Sequence, residues 1–304
     1  MPRSRKNPTL PRKKKLLVTG ASGLLGNKIV ALAERNFDVI PTDVAEPLRP
    51  NAIRSDITDG SAVARLLADL SPDVVIHTAS ETNVDKCERE KEHAWKVNVE
   101  GTQNLAIACG RNEAKIVYIS TDYVFDGEKG WYNEEDYPNP ISHYALTKLE
   151  GENQIIKHCK NYAILRTSVL YGNHPYKQDF VAWIINQLKQ DQEITVVEDH
   201  INTPTLAGNL AEMTIEVVRK DLNGVYHASG SERISRFEFA KQIAKTFSLN
   251  SDLITPIKME KLKSWIAKRP RDSSLNTQKM RKQLNAKPLN ITEGLARLKA
   301  EMET

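Results

Sequence analysis

Lys15-Leu16-Leu17-Val18-Thr19-Gly20-Ala21-Ser22-Gly23-Leu24-Leu25-Gly26 is the stretch on which the fold turns. Residues 15–19 are a short apolar run of the kind that forms a buried strand. Past the glycines, Leu24, Leu25, Ile29 and Leu32 recur at helical spacing and predict a helix over 24–35. Strand, glycine loop and helix in that order form the context of a dinucleotide site. Gly20 permits a turn with unusual dihedrals, Gly23 lets the backbone approach a pyrophosphate, and Gly26 allows the helix to pack closely. The segment Gly20, Gly23, Leu24, Leu25, Gly26 is thus the expected phosphate loop, with free N–H groups and the helix dipole favouring negative charge.

A second strand, 37–42, leads into Asp43, about twenty residues beyond the loop. A carboxylate there accepts the adenosine ribose 2′-hydroxyl and repels a 2′-phosphate, which favours NAD(H). Arg49, six residues on, leaves NADP(H) open. Asp56 and Ile57, after a third short strand, are expected to flank the adenine. Strands at 73–77, 115–120 and 162–167 alternate with helical patterns at 60–70, 91–111 and 144–159. That alternation predicts an α/β, Rossmann-like, doubly wound parallel sheet. After Gly172 the pattern changes to a helix at 177–190, a strand at 194–197, a helix at 205–219, a strand at 224–228 and a helix at 235–247.

The chemistry sits at the end of the 115–120 strand and on the helix that follows. Ligands in open parallel sheets bind beyond the carboxyl ends of strands, so Thr121 is placed to touch a substrate. Tyr144 and Lys148 are four residues apart, hence on one helix face. A free tyrosine titrates near pH 10, and a lysine cation beside it is expected to lower that value toward neutrality. Tyr144 then serves as proton donor to a carbonyl oxygen, Thr121 hydrogen-bonds the same oxygen, and Lys148 also holds the nicotinamide ribose.

These residues resemble the extended short-chain dehydrogenase/reductase superfamily, and within it the dTDP-4-dehydrorhamnose reductase family. The likeness runs from Leu16 to about residue 285. Besides the glycine loop it is carried by Ser55-Asp56-Ile57-Thr58-Asp59, Val97-Asn98-Val99-Glu100-Gly101, Thr203-Pro204-Thr205 and Arg269-Pro270-Arg271-Asp272. Its most specific segment is Ser120-Thr121-Asp122-Tyr123-Val124-Phe125-Asp126-Gly127. The resemblance implies NAD(P)H-dependent reduction of the C4 ketone of a nucleotide-linked 6-deoxyhexose. It implies Thr121, Tyr144 and Lys148 as the catalytic set, Thr121 and Asp122 as sugar contacts, and Ala79, Ser80 and Glu81 along the cofactor. Val169 stands where bacterial members often carry a tryptophan against the sugar, and Asp199-His200 where they commonly read Asp-Gln.

The resemblance also implies a dinucleotide domain over 16–172. Residues 173–304 are then mainly substrate-binding, with part returning to the sheet and the stretch from Leu253, bearing Trp265, closing over the substrate. Lys268, Arg269 and Arg271 are candidates to meet a diphosphate, and the 91–111 and 146–156 helices to form a homodimer seam. Related sugar-nucleotide dehydratases read Thr-Asp-Glu at the strand tip; Thr121-Asp122-Tyr123 lacks the glutamate that would take a C5 proton. The regulatory beta subunit of methionine adenosyltransferase shares the overall pattern but tends to replace the Ser-Thr pair, which is intact here as Ser120-Thr121.

Composition bounds the rest. The 304 residues are 40% hydrophobic, enough for one large core with a smaller annex. Net charge is +4, yet residues 1–15 hold seven Lys and Arg and no acid, so removing those seven leaves −3 for residues 16–304. The basic character belongs to a tail that is expected to be disordered over 1–15. A solvated extension is a simpler reading of it than contact with nucleic acid or a membrane surface. No stretch reaches the eighteen apolar residues of a membrane span, and the tail lacks the apolar core of a secretory signal. Cys87, Cys109 and Cys159 are widely spaced, which suits reduced thiols in a cytoplasmic protein. The seven histidines show no metal-ligand spacing, and no metal is needed for this chemistry.

Overall fold

In the computed structural model, which describes residues 12–45, 49–176 and 178–303, the glycine loop joins β1 (Lys15–Thr19) to α1 (Leu24–Ala33). β2 (Asp38–Asp43) and β3 (Ile53–Arg54) follow, then α2 (Gly60–Leu70), β4 (Val74–His77) and α3 (Val84–Arg89). Next come α4 (Lys91–Trp95), a π-helical segment Lys96–Glu100, and α5 (Gly101–Arg111). β5 (Lys115–Thr121), α6 (His143–His158) and β6 (Tyr162–Thr167) complete the first half. The second half opens with β7 (Leu170–Tyr171), α7 (Phe180–Lys189), β8 (Ile194–Val197), β9 (Ile201–Asn202) and β10 (Thr205–Leu206). It continues with α8 (Ala207–Arg219), β11 (Gly224–His227), β12 (Ile234–Ser235) and α9 (Arg236–Thr246). β13 (Ile254–Ile257), α10 (Gln278–Gln283) and α11 (Ile291–Glu303) end the chain.

Seven parallel strands make one sheet in the order β11-β6-β5-β4-β1-β2-β3. Strand parity builds its two covers. Leu16, Val18, Val74, Ile76, Val117 and Leu165 point to the face packed by α1 and α8. Leu17, Val75, Ile116 and Ile164, one residue out of phase, point to the face packed by α2, α5 and α6. Strands buried on both faces read as continuous apolar runs rather than alternating ones, which is why they were legible. The chain runs outward from β1 to β3 and returns to β4, so a topological switch point opens between β1 and β4.

A second apolar cluster joins α7, α9 and α11 to the β8–β13 pair, with Ile184, Leu188, Phe239, Ile243 and Leu295 at its centre. The two halves of the sequence are interleaved in space. β11 returns to the sheet beside β6, and α8 covers the sheet face while its neighbours in sequence build the second cluster.

Two expectations are revised. The helix over 91–111 is interrupted at Lys96–Glu100, where Asn98 turns inward and Gly101 packs so tightly that a Cβ would lie 2.8 Å from the Ile57 side chain. The tail boundary also moves: Lys15 is the first residue of β1, its N–H bonds Asp73 at 2.7 Å, and its ammonium bonds the Leu70 carbonyl at 2.9 Å. Arg12 reaches Asp73 at 3.3 Å, and the expected disorder over 1–11 lies outside the described residues.

Candidate active site

A cavity of about 450 Å³ occupies the switch point. Gly20, Gly23, Asp43, Asp56, Ile57, Ala79, Ser80 and Glu81 all line it, together with Lys96 and His93, which the sequence reading did not single out. Gly20 has φ +67°, and a Cβ there would lie 2.7 Å from the Ala79 nitrogen, so the turn requires glycine. Gly26 is needed for a different contact: its Cβ would meet the Gly20 carbonyl at 2.1 Å, so the helix packs on the loop itself. Leu25 turns into the core, and Leu24 is half-buried outside the cavity lining.

Among the described residues six other α-helices carry a side-chain N-cap, from Asp59, Asn83, Ser142, Asp179, Ser235 and Asn290. α1 starts at Gly23 with no such cap, and Gly23 itself lines the cavity. An uncapped helix start beside a side-chain-free residue fits a dinucleotide pyrophosphate. Asp43 accepts from the Ser22 N–H at 2.8 Å and the Ala45 N–H at 3.1 Å, which fixes its carboxylate at the cavity wall. Arg49 is drawn to Glu34 at 2.9 Å and Asn27 at 3.3 Å and is not among the described lining residues.

Asn98, the inward residue of the π-helical segment, ties this cavity to the reactive helix. Its Oδ1 accepts from Ser80 Oγ and the Glu81 N–H, both at 2.8 Å. Its Nδ2 donates to the Glu81 carbonyl and to Thr147 Oγ1, both at 3.0 Å. Behind it, Thr102 Oγ1 donates to the Asn98 carbonyl at 2.7 Å, so His77 Nε2 donates to Thr102 and His77 Nδ1 accepts from Thr19 Oγ1 at 2.8 Å. Burial, with the Lys148 charge adding to it, pushes His77 down to about 3 and keeps it neutral.

Tyr144, Lys148 and Thr121 come together next to this lattice, beyond the cavity lining. Lys148 is 3% exposed, donates to the Ile119 carbonyl at 2.8 Å and sits 4.1 Å from the Tyr118 ring centroid. Burial lowers it to about 7 against the opposing pull of Glu152. The Tyr144 phenol moves the other way: burial raises it, the Thr121 hydroxyl partly offsets this, and Asp122 raises it further. The expectation that Lys148 lowers the phenol is therefore corrected; the depressed member of the pair is the lysine. Ser120 turns beneath the site, donating to Glu152 at 2.5 Å, and Glu152 is clamped by Arg166 at 3.0 and 2.7 Å.

Asp122 also departs from its expected role. It is 2% exposed and accepts from Ser168 Oγ at 2.7 Å, Thr121 Oγ1 at 3.2 Å, Asn202 Nδ2 at 3.5 Å and Ser273 Oγ. Its carboxylate ties the β5 tip to β6, β9 and the 271–275 segment instead of facing a sugar. Val169 follows Ser168 with φ +43°, a strained conformation for a β-branched residue, and its side chain packs against the second apolar cluster.

Of the basic candidates in the C-terminal stretch, Lys268 is exposed, while Arg269 and Arg271 are engaged. Arg269 makes a two-pronged pair with Asp85 at 2.7 and 2.8 Å, and Arg271, exposed, reaches Asp199 at 3.4 Å. Asp85 also accepts the Ile266 and Ala267 N–H groups at 2.9 Å each, while Asp199 accepts the Met259 N–H at 2.8 Å. The 259–271 strap is thus pinned at both ends, with Trp265 sandwiched between Arg269, 4.7 Å away, and His200, 5.5 Å away. Arg236 is the cation that sequence reading missed: it faces Asp122 and Tyr123 and lies 4.7 Å from the Phe180 ring, with no carboxylate within ion-pair distance among the described residues. Nothing in its local sequence marks it, because β12 and α9 bring it to the site from 92 residues beyond Tyr144.

A parallel sheet with a glycine-loop cavity at its switch point and a Thr-Tyr-Lys group beside it defines an NAD(P)-dependent oxidoreductase of the extended short-chain type. The chain belongs to the RmlD family: the RmlD substrate binding domain matches residues 14–304. The dTDP-4-dehydrorhamnose reductase of Aggregatibacter actinomycetemcomitans is 32% identical over 303 residues, covering 95% of this chain and 99% of that protein. Methionine adenosyltransferase 2 subunit beta of Danio rerio is 30% identical over 275 residues, covering 88% and 84%. The crystal structure of dTDP-4-dehydrorhamnose reductase from Bacillus anthracis in complex with NADP superposes with a TM-score of 0.88 at 34% identity, covering 95% of this chain and 99% of that one.

Proposed function

We infer that this chain reduces the C4 ketone of a nucleotide-linked deoxysugar, converting dTDP-4-dehydrorhamnose to dTDP-L-rhamnose with NADH or NADPH. The observation that carries the reading is Thr121, Tyr144 and Lys148 assembled at the carboxyl end of β5 beside the switch-point cavity, in a chain of this family. Gly20, Gly23 and the main chain at Leu24, Leu25 and Gly26 hold the pyrophosphate, Asp43 the adenosine ribose, Asp56 and Ile57 the adenine. Ala79, Ser80 and Glu81 flank the cofactor. The bound dinucleotide supplies the hydride. Tyr144 gives its proton to the carbonyl oxygen, Thr121 hydrogen-bonds that oxygen, and Lys148 holds the nicotinamide ribose. Arg236 faces the substrate diphosphate.

The NADP in the Bacillus relative supports NADP(H) as a cofactor here, while Asp43 at the ribose wall supports NAD(H). We propose a homodimer through the α4–α6 face, where Trp95, Leu146 and Ile156 are exposed apolar residues. No helix among the described residues is long and apolar enough to cross a membrane, and three buried free thiols suit a reducing cytoplasm. The deciding experiment is oxidation of NADH and NADPH with dTDP-4-dehydro-6-deoxy-L-mannose, followed at 340 nm (roughly the reduced nicotinamide maximum). Ketone-dependent oxidation is expected. Its absence, with dinucleotide binding intact, would favour the second reading, a dinucleotide-binding regulatory subunit like the Danio rerio relative.

A further inference from the structure

His200 and Asn202, two residues apart on the strand that carries β9, face the same side of it. Asn202 Nδ2 lies 3.4 Å from His200 Nε2 and donates to Ser273 Oγ at 2.9 Å. His200 is 1% exposed and Asn202 is fully buried, yet His200 Nδ1 and Asn202 Oδ1 have no hydrogen-bond partner among the described residues. Buried polar atoms are nearly always paired, so two orphans in one cluster call for a partner from outside the chain.

The two orphans are chemically complementary. Arg236 donates to the Tyr123 oxygen, so the Tyr123 hydroxyl proton turns to His200 Nε2, which accepts, and the ring proton resides on Nδ1. Burial, with Arg236 and Arg269 nearby, holds the ring neutral. The cluster therefore presents one free donor, His200 Nδ1–H, and one free acceptor, Asn202 Oδ1. Its position is next to the reacting group: the Tyr123 hydroxyl is 3.3 Å from His200 Nε2, and Tyr123 packs edge-on against Tyr144 with centroids 6.1 Å apart. Trp265 on the pinned strap covers the imidazole.

We propose that His200 and Asn202 form a hydroxyl-recognition subsite for the sugar ring of the nucleotide-linked substrate, with Trp265 as its cover; this rests on the ketosugar reading above. A diol supplies one oxygen to accept from His200 Nδ1–H and one hydroxyl to donate to Asn202 Oδ1. The orphans make the free protein less stable than it need be and select a hydroxylated ring over a deoxygenated one.

The test uses the full chain saturated with NADP⁺ and calorimetric titration of dTDP-L-rhamnose and its 2-deoxy and 3-deoxy analogues. The wild type is expected to bind the parent sugar about 10- to 100-fold more tightly than the analogue lacking the contacted hydroxyl. His200→Phe should abolish that discrimination while leaving NADP⁺ affinity unchanged and the ligand-free melting temperature unchanged or raised by about 2 °C. A purely structural histidine would lower the melting temperature and leave discrimination intact. His200→Gln, which keeps polar atoms at the site, should retain part of the discrimination and serves if the phenylalanine variant does not fold. A wild type indifferent to both deoxy analogues, or a variant that discriminates as the wild type does, overturns the subsite. Ketone reduction by the wild type is read separately: reduction without discrimination sinks the subsite alone, and absence of both reduction and sugar binding sinks both.

Discussion

Tyr144 enters the reaction protonated, because burial raises its phenol. That suits a donor to a developing alkoxide. Tyr144→Phe removes one oxygen and keeps the ring, so the fold and dinucleotide affinity should survive while turnover falls about 10²- to 10⁴-fold. Single-turnover rates beside NADPH binding check this; near wild-type reduction would exclude Tyr144 as the donor. Lys148 has the complementary behaviour. Its pKa is lowered to about 7, so the ammonium is lost as pH rises through 7. A step that needs this cation should show kcat/KM level below about pH 7 and falling about tenfold per unit above it. Lys148→Arg keeps a cation at every accessible pH and should flatten that limb, whatever it does to the absolute rate. The same depression works against stability at and below pH 7 and is relieved as pH rises toward the ordinary lysine range, since there the unfolded chain binds the extra proton.

Among the elements, the 259–271 strap and the π-helical segment connect distant parts of the chain to the site. Asp85 on α3 holds the strap with four hydrogen bonds, and contact with Arg269 and the Ile266 and Ala267 N–H groups lowers its carboxyl to about 2 in spite of partial burial. Asp85→Ala releases the Arg269 guanidinium and both N–H groups together. We expect protease cleavage within 259–268, a KM for the nucleotide sugar raised about tenfold, and a kcat changed by less than about threefold, since no reacting group is touched. An uncleaved variant with unaltered KM would show that the strap is held by its own packing. The π-helical segment is a second such device. One extra residue in the turn lets Asn98 reach Ser80, Glu81 and Thr147 at once, so cofactor wall and reactive helix move as a unit.

For the whole molecule, the parallel sheet is the frame, and its first strand begins earlier than the basic composition implies. Removing residues 1–15 deletes the first β1 residue and its bonds to Asp73 and Leu70. The truncated protein should melt about 2–4 °C lower for each kcal/mol so lost, while truncation through residue 11 spares these contacts. Differential scanning calorimetry of the two truncations distinguishes them, and equal melting temperatures would show that these contacts contribute nothing. α8 and β11 belong to the central sheet while the segments before and after them in sequence build the second apolar cluster, so both should unfold in a single transition.

Much of this was legible in the residues. The apolar runs at 15–19, 74–77 and 162–167 are buried on both faces, and Gly20 and Gly26 stand where any Cβ would collide, so local pattern was sufficient for strands, loop and cavity. Tyr144 and Lys148 share a helix face by spacing alone. What spacing does not encode is burial and partnership across the chain. The low pKa of Lys148 depends on burial, and the diversion of Asp122 into Ser168 and Ser273 and the pairing of Arg269 with Asp85 depend on segments 46 to 184 residues apart. Arg236 and the orphan atoms of His200 and Asn202 likewise acquire meaning only when β9 and α9 fold back beside Tyr123. Sequence determined the frame because backbone and apolar periodicity are local; the site's charges were decided by tertiary structure, because desolvation and hydrogen bonding depend on which neighbours arrive.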